Sequence, residues 1–131
     1  MKTSDHLRVG SIYSRKRLRE MFGITDATIN TGVFQPKGHD SIWLFITEEK
    51  EPDRTPYYDE LKSDLLEWDG QTMGRTDDKI ITHASNGHEL LVFYRKEKNE
   101  HPHSGFRYLG PFRYKSHAGS KPTHFILEQL Y

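Results

Sequence analysis

The sequence predicts a single α+β domain spanning residues 1–131, built on a curved mixed β-sheet closing toward a barrel, with two or three short helices at its flanks. Three observations carry that expectation. Ser41–Thr47 (SIWLFIT) is a nearly continuous apolar run rich in β-formers, the pattern of a central strand buried on both faces. Residues 89–96 (ELLVFYRK) and the alternating residues 123–130 supply two more strands. The helical segments are short and do not alternate regularly with strands, so no βαβ rhythm is present.

The elements follow in order. Ser14 can cap a helix near residues 15–22, whose Leu18, Met21 and Phe22 form an i, i+3, i+4 apolar stripe, and Gly23 can supply the left-handed residue that ends it. Arg15 and Lys16 occupy its first turn, where the helix dipole disfavours cations, a local conflict that points outward to an anionic partner. Residues 23–40 mix Gly, Asn, Thr and Asp and read as a loop around a short extended piece. After an exposed, proline-bearing connection at 48–56, residues 61–68 fit either a helical turn or a short strand, and Asp69-Gly70 is a tight-turn signal. Asp77 or Asp78 can cap a second short helix holding Ile80, Ile81 and Ala84, which Asn86-Gly87 can end. Residues 106–114 have strand character interrupted at Gly110-Pro111, a bulge or edge kink. The sum is about five strands.

Composition removes several classes of function. Cysteine is absent, which excludes a disulfide framework, a thiolate nucleophile and most structural zinc sites, and favours a reducing, cytoplasmic setting. No apolar run approaches the ~20 residues needed to span a bilayer, and the polar beginning MKTSDHLRVG lacks the apolar core of a signal peptide. Formal charge is zero, with 19 Lys+Arg against 19 Asp+Glu, so any anionic partner must be met by a local cluster. Residues 14–19 hold four cations, residues 106–121 hold Arg107, Arg113, Lys115 and Lys121 without a carboxylate, and acids crowd residues 48–69.

Chemistry-bearing patterns are sparse. His101-x-His103 would point one way in an extended segment, but it has no third ligand and sits beside proline; His83 and His88, five apart, do not share a helix face. No Gly-x-Ser-x-Gly elbow and no phosphate-binding Walker loop is present, so nothing in the chain supports an enzyme, and no cofactor is expected. The richest segment is 57–75, where Tyr57, Tyr58, Asp59, Trp68, Asp69, Gln71 and Arg75 fall within 19 positions. Aromatic faces stack on an unpaired base, a carboxylate accepts from an exocyclic amine, and an amide reads the remaining edge. The same residues equally suit an aromatic cage for a peptide or methylated lysine, or a core of aromatics with solvated acids.

Taken together, Val9-Gly10-Ser11-Ile12-Tyr13-Ser14-Arg15, Ser41–Thr47, Tyr58-Asp59, Leu66-Glu67-Trp68, Ile81-Thr82-His83-Ala84-Ser85-Asn86-Gly87 and Tyr108-Leu109-Gly110 resemble one family over roughly residues 9–130. It is the domain of unknown function appended to phospholipase-D-type nuclease/helicase restriction proteins, with similar domains on HNH endonucleases. That family is similar to the SRA and PUA-like readers of modified DNA. The resemblance implies a non-catalytic, PUA/SRA-like DNA-binding domain serving restriction or phage defence, with cleavage left to a nuclease or helicase module in the parent chain or a partner. It places Tyr58, Asp59, Trp68 and Gln71 at the base site and Arg15 in the opening motif. The Gly-rich acidic stretch of the HNH-fused relatives is replaced here by residues 69–75, so the resemblance leaves the modification open.

The expectation is therefore a reader of modified double-stranded DNA. Tyr57, Tyr58, Asp59, Trp68, Asp69 and Gln71 line a pocket for an extruded base, and Arg15, Lys16, Arg19, Arg75, Arg113, Lys115 and Lys121 hold phosphates. The alternatives are a protein-interaction module that docks a nuclease or helicase, for which clustering Arg15, Lys16, Arg19 and Arg113 on one face would have no use, and a small hydrolase joining a histidine to a carboxylate. Because no metal-ligand spacing is present, excess EDTA is expected to leave the thermal midpoint and DNA binding unchanged. A drop of several degrees on chelation, read by differential scanning fluorimetry, would overturn that.

Overall fold

The computed structural model describes residues 3–26, 29, 32–36, 38, 40–47, 60–62, 65–69, 77–119 and 123–130, with residues 60–62, 67 and 69 entering by their backbone alone. The elements are β1 (Ile12–Tyr13), α1 (Arg15–Phe22), β2 (Val33–Phe34), β3 (Ser41–Thr47), β4 (Glu60–Lys62), β5 (Leu65–Asp69), α2 (Asp77–Ile81), β6 (Glu89–Arg95), β7 (Phe106–Ala118) and β8 (His124–Gln129), with 3-10 turns at Thr3–His6 and Pro102–Ser104. Seven strands form one path, β2-β3-β6-β7-β8-β5-β4, and β1 pairs with β7 off that path. The ladders are antiparallel except between β3 and β6, which run parallel from Ser41 opposite Glu89 to Thr47 opposite Arg95.

β3 and β6 are buried on both faces, as their continuous apolar runs require. Their alternation sorts the interior into two cores. Ile42, Leu44, Ile46, Leu90 and Val92 face one way, where Leu66, Trp68, Ile80, Phe112, Phe125 and Leu127 complete a mainly aliphatic cluster. Trp43, Phe45, Leu91 and Phe93 face the other way, into an aromatic cluster closed by Leu18, Ile29, Phe34, Phe106 and Tyr108. α1 covers the aromatic side as its stripe predicts: Leu18 is fully buried and Phe22 meets Trp43 edge-on at 5.5 Å. Its ends are the expected ones, with Ser14 Oγ accepting from the Arg17 amide at 3.0 Å and Gly23 in the left-handed region at φ 63°.

The sheet curls but does not close. β2 and β4 terminate the path, and no ladder joins them among the described residues, which corrects the expectation of closure toward a barrel. At two and three residues, these strands are too short to present a continuous edge for a closing ladder. The curl is visible in one contact: a Cβ on Gly32, immediately before β2, would lie 4.0 Å from Trp68 Cζ2 on β5. Five strand spacings separate β2 from β5 along the path, about 24 Å if the sheet were flat. Trp68 therefore bridges the mouth of the curled sheet. Its ring stacks on Phe125 at a centroid distance of 5.7 Å and is 4% exposed.

Residues 106–118 form one strand rather than a broken one. The interruption expected at Gly110-Pro111 is a bulge: Val92 faces Gly110 and Phe93 faces Tyr108, so Leu109 is the extra residue, and Gly110 takes φ 91°. A second bulge sets Lys115 between the Tyr114–Leu127 and Ser116–Ile126 pairs. The segment at 61–68, open to a helical turn or a strand from sequence, is the β4–β5 hairpin, with Leu61 opposite Leu66.

Trp68 thus offers a clear stability measurement. Trp68→Ala should cost roughly 3–5 kcal/mol, as for a large aromatic removed from a packed core. A loss within about 0.5 kcal/mol in urea unfolding would instead mark a surface position.

Candidate nucleic-acid interface

Of the residues nominated for a base pocket, Tyr57, Tyr58, Asp59 and Gln71 lie outside the described residues, as do Arg75 and Lys121 among the phosphate candidates. Asp69 is described by its backbone, which ends β5 with its Cα opposite His124. Trp68 is placed in the core, one ring face covered by Phe125.

The cations separate into three environments. Lys16 is exposed on α1, and Arg19 on the same helix is partly buried. Arg113 and Lys115 are exposed on the far half of β7, six or more residues from the β1 pairing at 106–107, which is about 20 Å along a strand. Arg113 is also ion-paired there: its Nε donates to Glu128 Oε1 at 2.6 Å and its Nη2 meets the same oxygen. Exposed pairs of this kind contribute at most about 1 kcal/mol, yet this one occupies the guanidinium that was expected to hold a phosphate.

Arg15 takes the third environment. It turns inward from the first turn of α1, donating from Nε to the Ile29 carbonyl at 2.9 Å, with its guanidinium carbon 4.6 Å from the Phe45 ring centre and 5.0 Å from that of Phe106. The local conflict of a cation at a helix start is thereby answered by π-faces inside the protein. Arg95, at the end of β6, lies 4.0 Å from the same Phe106 ring, donates from Nε to Thr47 Oγ1 and from Nη1 to the Ser104 carbonyl at 2.8 Å each, and is 8% exposed. Burial, then the neighbouring Arg95, pushes Arg15 down to about 10, and burial lowers Arg95 as well. Both stay charged at neutral pH, so this end of the aromatic core carries two adjacent positive charges. Arg95 was missed from sequence, although its alternation with Leu91 and Phe93 placed it on the inward face.

Two clefts open near the amino-terminal segment. The larger, about 750 Å³, lies between the amino-terminal segment, the 83–90 region and the middle of β7. Its central carboxylate is spent internally. Glu89 accepts from the Ser4 amide and from the Ser4 and Ser41 hydroxyls. Burial, then the nearby Glu89 and Tyr13, holds the Tyr108 hydroxyl in its neutral form well above its ordinary range. The smaller cleft, about 590 Å³, is lined by Ser11, Ile12, Tyr13, Ser14, Arg17, Pro102 and His103. Among the described residues, no three His, Asp or Glu side chains come together to hold a metal ion.

His83, from the turn after α2, does structural work. It is 4% exposed, its Nδ1 lies 2.9 Å from the His88 carbonyl, and its Nε2 accepts from the Tyr114 amide at 3.0 Å. Those partners assign the proton to Nδ1. β6 begins at Glu89, and its ladder with β7 ends at Leu90 opposite Phe112, so the ring supplies the acceptor that the sheet does not. His83→Ala is expected to destabilise the chain by about 1–3 kcal/mol, since it orphans a buried amide and a carbonyl. Hydrogen exchange should show the Tyr114 amide losing protection ahead of those in β6; unchanged protection would contradict this role.

No protein-family model and no curated protein matches the chain. Among solved structures, a modification-dependent TagI restriction endonuclease matches 95% of this chain at a TM-score of 0.50 and 20% sequence identity. This chain spans 50% of the length of that one, so the likeness establishes a shared fold over about half of the larger protein.

Proposed function

We propose that this chain is the DNA-recognition part of a system that restricts modified DNA, a non-catalytic reader of a modified base in duplex DNA. The observation that carries the reading is the fold likeness across 95% of the chain to half of a modification-dependent restriction endonuclease. Two features support it: cations concentrate on segments without carboxylates, and the segment joining β3 to β4 and the one following β5 carry the tyrosines, acids and amide suited to a base edge. In this reading Tyr57, Tyr58, Asp59 and Gln71 touch an extruded base, and Trp68 is the core anchor that fixes β5 beneath them, with Asp69 at its end. Lys16, Arg19 and Lys115 contact phosphates, together with Arg75 and Lys121. Cleavage belongs to a nuclease or helicase module elsewhere in the parent protein or in a partner.

One observation favours a second reading, a module that docks such a nuclease. Arg15, Lys16, Arg19 and Arg113 do not share a face: Arg15 turns into the aromatic core, and Arg113 is paired with Glu128 on the far half of β7. The two readings separate in a binding screen by fluorescence anisotropy against duplexes carrying 5-methylcytosine, 5-hydroxymethylcytosine, N6-methyladenine or no modification. One modified duplex is expected to bind at least about tenfold tighter than the plain one, and Tyr58→Ala to remove about 1–3 kcal/mol of that binding with plain DNA nearly unaffected. Asp59→Ala should chiefly erode discrimination between bases. Equal affinity for every duplex, or no binding to any, would overturn the reader and leave the docking module.

A further inference from the structure

The smaller cleft carries an assignment that the sequence did not make. Residues 7–19 contain five cations and no carboxylate, and residues 101–127 also contain none. The fold brings these segments together: Ile12 of β1 stands opposite Arg107 of β7, and Tyr13 opposite Phe106. Directly opposed residues of an antiparallel pair project from the same side of the sheet. Ile12 lines the cleft with Arg17 and His103; Arg107 is not among the lining residues, but it projects from the same side of the sheet as Ile12, next to it across the ladder. Arg17, His103 and Arg107 are exposed, and their side chains have no hydrogen-bond or ion-pair partner among the described residues. Of the two carboxylates in the preceding turn, Glu100 accepts from the Lys96 amide and lies 2.8 Å from His101 Nε2, and Glu97 is exposed.

The cleft is also built. His103 and Ser104 both adopt positive φ, 60° and 58°, a conformation that costs side-chain-bearing residues of order 1 kcal/mol or more each. The Ser104 carbonyl is held there by Arg95 Nη1, so the turn presenting His103 is anchored on the aromatic core. Gly105 permits the approach, since a Cβ there would fall 2.7 Å from Ile12 Cγ2. Ile12 is 38% exposed in the cleft, beside Pro102, and gives an apolar floor between Arg17 and His103. A volume of about 590 Å³ with an apolar floor, Arg17 in its wall, hydroxyls from the Ser11 region and Arg107 on the neighbouring strand fits one sugar-phosphate unit.

We propose that the β1–β7 face, with the cleft between residues 11–17 and 102–103, is the surface that grips the duplex backbone, with Arg17 and Arg107 as its phosphate contacts and Ile12 against the sugar. This rests on the DNA-reading function proposed above and gives the grip residues outside the base pocket. Arg113 and Lys115 lie at the other end of β7, outside this surface, so the phosphate contact assigned to Lys115 above is separate from it.

The test measures the salt dependence of binding by the full chain to the same modified and plain duplexes, for the parent, Arg17→Ala, Arg107→Ala, the double Arg17→Glu/Arg107→Glu and, as a charge control, Lys79→Ala on α2. All three substituted positions are exposed, and thermal transitions verify folding. Each alanine variant is expected to weaken both duplexes alike, by about three- to tenfold, and to make the log–log salt slope shallower by about 0.9, leaving the modified-to-plain ratio at the parent value. The double variant should reduce binding further on both duplexes, and Lys79→Ala should match the parent. A double variant with parental affinity and slope overturns the surface while leaving the reading of modified DNA intact. So does a Lys79→Ala effect as large as that of the arginines, or a changed ratio at constant slope. A parent that binds no duplex overturns both.

Discussion

The structure depends on the parallel pairing of β3 with β6. Seven consecutive register positions lock two strands that are apolar on both sides, and that single ladder divides the interior into an aliphatic and an aromatic core. A strand buried on both faces must be covered on both, and the remaining elements can be understood as cover. α1 and the residues leading into β2 close the aromatic side, while α2 and the curled β8–β5 portion of the same sheet close the aliphatic side. The curl follows from that second duty, because the sheet must bend back over its own face to bring Leu66, Trp68, Phe125 and Leu127 to Ile42 and Leu44. It stops short of closure because the terminal strands are too short, and an indole stands at the gap where a ladder would have run.

The aromatic core makes possible the placement of charge that defines the candidate interface. Phe106 lies within about 5 Å of two guanidiniums, one from the start of α1 and one from the end of β6. Such contacts contribute of order 0.5–2 kcal/mol each, and Arg95 adds hydrogen bonds that tie β3 and the 102–104 turn to the same point. The interior arginines are thus structural ties, and the exposed cations of the same region are left to act outward. The basic segment at 14–19 divides in three dimensions into Arg15, which turns inward beside Arg95 of β6, and Lys16 and Arg17, which are exposed.

Much of the fold was legible in the sequence because its signals are local. The cap pair of Ser14 and Gly23, the two-face burial of residues 41–47 and the alternation of residues 123–130 each need only neighbouring residues to be read. β1 was not legible, β2 showed only as an unplaced extended piece within residues 23–40, and β4 only as half of an undecided segment, because strands of two or three residues carry no period and exist only through their partners. The site was harder for the same reason. Arg15 and Arg113 looked like outward cations, and only the positions of Phe45, Phe106 and Glu128 decide that one is stacked inside and the other neutralised. Arg107 and Arg17 were visible as residues, but their meeting is made by the β1–β7 ladder, which no local pattern announces.

The strand order also ties the domain's assembly to residues 124–129. β8, the last strand, sits between β7 and β5 and pairs residue 127 with residue 66 on one side and residue 114 on the other. On a ribosome, which releases the chain from its amino end, the β4–β5 hairpin, complete at residue 69, emerges well before β8, which begins at residue 124 soon after β7 ends at residue 118. Until residues 124–129 are free, Leu66 and Trp68 lie beside unpaired backbone, the kind of edge that templates aggregation. High contact order of this kind also slows the final docking. Translation that stops short of residue 124 therefore yields a sticky intermediate, and a fusion that crowds residues 124–129 acts on the same step.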